Sequence, residues 1–301
     1  MCFRFLILAG LLQAGSPRCE LKADDGSPST ASITWPGGIE SPAICLDKTV
    51  WFVSVVPDTV LLDSLSTVAI RKSKIESKGK VLFLETEQRL CLLETESALP
   101  GVSPFPVTKV TLTKAGQKLK CYSHQSACMT TVAGKDWSYR GQEFSLPLLR
   151  LRVADPEEFC SAGTPVVSES GDLVGILTDH HLDSAGDAYA IPASRIQKMV
   201  EEVKRFQKSQ PVWIGLTFHD EPSTPEVILV KAGSPAQEAG FQKGDIILSM
   251  KNEEITSLND LAEVILSLPA GVEAPVSILR GLSRENLTLI PRFAEISAAA
   301  R

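Results

Sequence analysis

The stretch AGSPAQEAGFQKGDIIL (Ala232–Leu248) spells out its own conformation almost residue by residue. Gly233-Ser234-Pro235 makes a turn into a short helix. Ala239-Gly240 closes that helix, and Lys243-Gly244-Asp245 turns the chain into an apolar strand. Turn, helix, turn and strand inside so few residues describe a compact α+β module. Working outward, WIGLTF (213–218) and VILV (227–230) read as strands upstream, a helix runs from Leu258 to Leu268, and APVSILRGLSRENLTLIP (274–291) reads as further strand. The module occupies 211–292, with a short tail at 293–301.

Upstream the period is different. From Ser41 to about Ala190 the chain is a series of short apolar or alternating runs broken by turn residues, among them VWFVSVV, KVLFL, RLCLL, PLLRLRV and LVGILT. Many short strands at regular spacing predict an all-β barrel or sandwich, and the region is too long for one small barrel. ASRIQKMVEEVKRFQK (193–208) then places Ile196, Met199, Val200, Val203 and Phe206 on one helical face, with Ser194 as N-cap. Ser209-Gln210-Pro211 ends that helix and marks a boundary. Residues 20–40, rich in Ser, Gly and Pro, belong to a flexible leader spanning 17–40.

Composition sets outer bounds. The 301 residues are 44% hydrophobic and 22% charged, as in an ordinary globular protein. A net charge of -6 argues against a general nucleic-acid binder, which needs a basic face. No apolar run is long enough for a spanning helix. Arg4 followed by FLILAGLL and small residues describes a secretory signal peptide over 1–16, hence an exported protein, periplasmic or extracellular. Export makes disulfides permissible, and Cys121 and Cys128 in CYSHQSAC form the only local pair, although Cys45 and Cys91 in apolar runs also suit buried thiols. No C-x-x-C occurs and the histidines are scattered apart from His180-His181, so neither a metal site nor a cofactor is expected.

The C-terminal module resembles a PDZ domain in the form found in the HtrA/Deg family of secreted proteases. The resemblance implies β-strand addition: Trp213, Ile214, Gly215 and Leu216 correspond to the loop whose N–H groups receive a peptide C-terminal carboxylate, with Gly215 allowing close backbone approach. Leu261, Ala262 and Ile265 recur at helical spacing, as pocket walls or as core packing. The upstream region fits the same family. FCSAGTPVVSESGDLVGILT (159–178) and Ala190-Ile191-Pro192 are similar to the nucleophile segment and the strand before the last helix of its trypsin-like domain. The fold expected is therefore mostly β: a two-barrel trypsin-like (chymotrypsin-type) domain over 41–208, then an α+β PDZ domain.

The triad positions depart from the family pattern. Ala162 stands at the nucleophile of G-N-S-G-G-P, Pro57 at the base, and Arg89 at the aspartate. Acyl transfer needs an oxygen or sulfur nucleophile and a base to take its proton, and these three side chains supply neither. The expectation is an inactive homologue that binds peptide segments or C-termini and serves as scaffold or regulator of an active HtrA/Deg-type protease. The alternative is an active serine-type endopeptidase with a displaced nucleophile at Ser161 or Cys160. The resemblance also implies a homo-oligomer, though the leader has no motif matching the region through which this family trimerises.

Overall fold

In the computed structural model the described residues are 30–47, 50–86, 88–105, 113–122, 127–136, 148–153, 161–178, 187–218 and 224–294. The expected signal peptide, Cys160, all four histidines and the tail from 295 lie outside them.

Two closed barrels precede the C-terminal module. The first contains β1 (Thr30–Thr34), β2 (Glu40–Asp47), β3 (Trp51–Val55), β4 (Thr67–Lys72), β5 (Ile75–Glu85) and β6 (Leu90–Thr95), in the order β1-β2-β3-β6-β5-β4. The second contains β7 (Lys118–Tyr122), β8 (Ala127–Asp136), β9 (Leu148–Val153), β10 (Pro165–Ser168), β11 (Leu173–Leu177) and β12 (Asp187–Pro192), in the order β7-β8-β9-β12-β11-β10. The two orders are the same pattern, so the second barrel repeats the topology of the first. Closure through β1–β4 and β7–β10 removes the open edges that would otherwise invite aggregation.

The apolar runs that lack alternation are strands buried on both faces. In β6, Cys91 and Leu93 point into the first barrel, while Leu90 and Leu92 join a second core shared by both barrels and the helix that follows them. β3 divides likewise, with Phe52 inside and Val53 in the shared seam. Burial pushes the Cys91 thiol up to about 12, which keeps it protonated and inert as a packing residue. Cys45 is also buried, and Cys121 stands opposite Cys128 in the β7–β8 register.

Two boundaries differ from the sequence expectation. The flexible leader does not extend to residue 40: β1 begins at Thr30 and pairs with both β2 and β4. Ala31, Ile33 and Trp35 alternate into the barrel core, and this inward face outweighs the polar composition around it. The helix, α1 (Ala193–Phe206), starts directly after β12 with Pro192 as its cap and no side-chain capping bond, so Ser194 is not the N-cap. Pro192 suits that place because its fixed φ leads into a helix and it has no N–H to leave unsatisfied.

The C-terminal module comprises β13 (Val212–Trp213), β14 (Leu216–Phe218), β15 (Val227–Val230), α2 (Pro235–Glu238), β16 (Ile246–Met250), β17 (Glu253–Glu254), α3 (Leu258–Ser267), β18 (Ala274–Arg280), β19 (Ser283–Leu289) and β20 (Arg292–Phe293). β13 pairs with β20, which carries the ordered module past 292 to Phe293, and Ala294 donates to the Pro211 carbonyl at 3.0 Å. The module has a core of its own, built around Val227, Ile247, Leu261, Val276 and Ile278. Among the described residues no helix is long and apolar enough to cross a membrane.

Candidate functional site

Two of the three triad-aligned positions lie in direct contact. Arg89, immediately before β6, adopts a left-handed backbone (φ 58°) and folds its guanidinium back over the turn that follows β3. Its Nε donates to the Val56 carbonyl at 2.9 Å and its Nη2 to the Pro57 carbonyl at 2.6 Å, with a further bond to the Val60 carbonyl. Asp58 lies 3.4 Å from Nε. The guanidinium is thus occupied in tying down the turn that carries the buried Pro57 ring.

Ala162 is 2% exposed and packs in the seam between the barrels. The adjacent Gly163 (φ 88°) accepts no side chain, because a Cβ there would lie 2.4 Å from the Pro42 carbonyl oxygen and 2.8 Å from Ser54 Oγ. That close approach seats the Ala162 turn on β3, whose end leads to Pro57. The Ser54 hydroxyl beside Gly163 is engaged elsewhere, its Oγ donating to the Pro42 carbonyl at 2.6 Å, and Ser41 Oγ accepts from Trp35 Nε1 at 2.7 Å. Ser161 is exposed and its carbonyl accepts from Thr164 N–H at 3.2 Å. Methyl, pyrrolidine ring and occupied guanidinium contain no group able to attack a carbonyl or accept a proton at neutral pH.

The C-terminal module offers a different kind of site. β14 pairs with β15 on one side and, among the described residues, leaves its other edge unpaired. The loop leading into it is held from beneath by α2. Ile214 accepts from Ala236 N–H and Gly215 accepts from Lys231 N–H, both at 2.9 Å. Gly215 has φ 80°, and a Cβ there would lie 2.1 Å from Ser234 Cβ. Ser234, wholly buried, cannot yield, because its Oγ caps α2 by accepting from Gln237 N–H at 3.1 Å. With their carbonyls directed inward, the N–H groups of Ile214 and Gly215 make no hydrogen bond to the described residues. An extended chain end bearing a carboxylate is the ligand such a loop and edge can accept.

The predicted side chains take different parts. Ile214 is buried and anchors the loop. Trp213 is half-buried, with the Lys231 ammonium 5.5 Å above its ring. Leu216 and Ile265 are half-buried against the core, and Ala262 is also half-buried. Leu261 is 1% exposed within the core, so its role is packing. Phe218 and Leu258, absent from the sequence reading, are like Leu216 and Ile265 partly buried apolar residues packed against the core of the module. Two signals pointed to them: Phe218 follows Leu216 at strand period, and Leu258 precedes Ala262 and Ile265 at helical spacing.

The Lys-Gly-Asp turn is fixed by a buried carboxylate. Burial works against the charge of Asp245, but the paired bonds from Arg280 Nε and Nη2, each 2.8 Å, and the Gln242 N–H outweigh it and hold the carboxyl below its usual range.

Comparison with known proteins fits both halves. The family model described as PDZ domain matches residues 212–290. A probable periplasmic serine endoprotease, DegP-like, of Pseudomonas putida is 29% identical over 142 residues, 42% of this chain and 30% of that protein. Protease Do-like 1, chloroplastic, of Arabidopsis thaliana is 27% identical over 238 residues, 70% of this chain and 54% of its own length. The HtrA-type protease AlgW solved with a tripeptide superposes with a TM-score of 0.52 at 15% identity, covering 91% of this chain and 96% of that one. Residues 212–290 are a PDZ domain, and the chain as a whole is similar to HtrA-type proteases. Its matches span about 30% of the bacterial DegP-like relatives' length. The AlgW likeness carries the architecture: two trypsin-like barrels followed by a PDZ domain.

Proposed function

We propose that this HtrA-type homologue is an exported peptide-binding protein without proteolytic activity, which captures peptide segments or C-termini and thereby scaffolds or regulates an active relative. The binding half rests on one observation above all: the edge of β14 that is left unpaired among the described residues, beside the Gly215 loop, in a module whose partly buried apolar residues include Leu216, Phe218, Leu258 and Ile265. Two AlgW structures are described as complexes with a tripeptide and with a decapeptide, which is the ligand class proposed for this chain. The silent half rests on the chemistry of Pro57, Arg89 and Ala162. Export is supported by the periplasmic DegP-like relatives.

Titrating a library of C-terminal peptides against the wild type and Gly215→Ala tests the binding half. The wild type should select peptides ending in an apolar residue, and the variant, whose added methyl collides with Ser234, should lose them. A wild type that binds nothing in the library overturns the reading. A fluorophosphonate probe tests the other half. No labelling is expected, and labelling that disappears in Ser161→Ala would establish a displaced nucleophile instead.

A further inference from the structure

We propose that Glu202, on the last helix of the barrel domain, is a positioning residue for the peptide groove of the PDZ domain. The inference rests on the peptide-binding reading above. The Glu202 side chain is wholly buried, and four donors converge on it. Oε2 accepts from Lys198 Nζ at 2.6 Å, Ser209 Oγ at 2.6 Å and Gln210 N–H at 3.2 Å. Oε1 accepts from Ala270 N–H at 3.0 Å. Lys198, itself wholly buried, closes the ring by donating to the Gln210 carbonyl at 2.6 Å.

These partners belong to three separate parts of the chain. Lys198 and Glu202 lie on α1, Ser209 and Gln210 in the connection between the domains, and Ala270 in the turn just beyond α3. One carboxylate therefore fastens the end of the groove helix to the barrel domain across 68 positions of sequence. Contacts alongside reinforce the joint. The Phe206 and Phe293 rings meet edge to face at 5.2 Å, and the Lys208 ammonium lies 4.5 Å from the centre of the Phe293 ring.

A buried charge persists only where its hydrogen bonds are satisfied, so the four donors must hold their places together. The consequence for the groove is geometric. Its strand side, β14, is set by α2 through Ile214, Gly215 and Ser234, all within the PDZ domain. Its helix side is α3, whose far end is held by Glu202 from outside that domain. Groove width, and with it the fit of a peptide against Leu258, Ala262 and Ile265, is thus fixed in part by the barrel domain.

The test uses the full chain and the peptide best bound by the wild type. Glu202→Gln places an amide where donors converge from opposite sides, and should weaken binding about tenfold. Amide exchange at Ala270 should quicken while exchange at Val227 and Ile247 in the PDZ core stays slow. A purely structural role would instead raise exchange throughout that core. If Glu202→Gln does not fold, Lys198→Met with Glu202→Leu replaces the pair by apolar groups of similar size and still removes the tether, and should show the same loss. Unchanged affinity in either folded variant overturns the positioning role alone. A wild type that binds no peptide overturns the underlying reading, and the positioning role with it.

Discussion

At the scale of single residues, Arg89 combines two costs and a return. A left-handed backbone is unfavourable for any residue with a Cβ, and a guanidinium placed beneath a turn loses hydration. Against this stand bonds to the carbonyls of Val56, Pro57 and Val60, all charge-assisted and all in a loop that has no strand ladder of its own. Arg89→Ala should lower stability by roughly 2–3 kcal/mol in urea unfolding, through loss of the shared donor. Arg89→Lys should recover little, because an ammonium cannot fork to several acceptors. A lysine variant as stable as the wild type would show that charge, and not the fork, holds the turn. Ala162 invites a companion experiment. Ala162→Ser restores a hydroxyl at the triad-aligned position but no base beside it, so casein hydrolysis should stay at background. Any hydrolysis above that level would contradict the reading of Pro57 and Arg89.

At the scale of elements, α3 shows how a few local bonds shape the groove. Ser257 caps the helix by accepting from Asp260 N–H at 3.2 Å, and Asp260 accepts in return from Thr256 Oγ1 at 2.6 Å. Ser257→Ala should cost about 1 kcal/mol of PDZ stability, read as a lower thermal midpoint, and should loosen the Leu258 end of the groove. An unchanged midpoint would mean that packing of Leu261 and Val264 alone sets the helix. This cap is local, and so are the Ser234 turn and the Lys-Gly-Asp turn, which is why Ala232–Leu248 could be read from its letters. What was not legible depended on distant partners. Ala31, Ile33 and Trp35 alternate clearly, yet only pairing with β2 and β4 turns a Ser- and Gly-rich segment into a strand. Helical spacing marked Leu261 and Ile265 equally. Period reports which face is apolar, and only the rest of the fold decides that Leu261 enters the core while Ile265 stays at its rim. Nothing in the letters around Glu202, in the charged stretch EEVKR (201–205), marks it as buried, because the groups that bury it lie in the connection and beyond α3.

At the scale of the whole molecule, the two barrels and the PDZ domain meet around α1, and the Lys198–Glu202 pair at that junction makes stability depend on pH. Burial and the nearby Arg195 charge lower the Lys198 pKa from 10.5 to about 8, with Glu202 opposing them. Below about 8 the lysine is protonated whether the chain is folded or not, and the folded state carries the full cost of the buried charge. Between 8 and 10.5 the folded protein releases its proton while the unfolded chain keeps one. The unfolded state then binds more protons, so this site's contribution to stability rises with pH across that window and is flat above it. The full rise is on the order of 3 kcal/mol at about 1.4 kcal/mol per pH unit. Lys198→Met removes the titrating group, so the stability of the wild type relative to the variant should increase between pH 8 and 10.5. Urea unfolding of both proteins at a series of pH values measures that difference directly, since the remaining lysines and tyrosines titrate alike in the two. A difference that stays constant over the window would place Lys198 in a site that water reaches, with the junction opening on a faster timescale than unfolding. A difference that grows would make α1, the connection and the turn after α3 one cooperative unit, as their shared carboxylate implies.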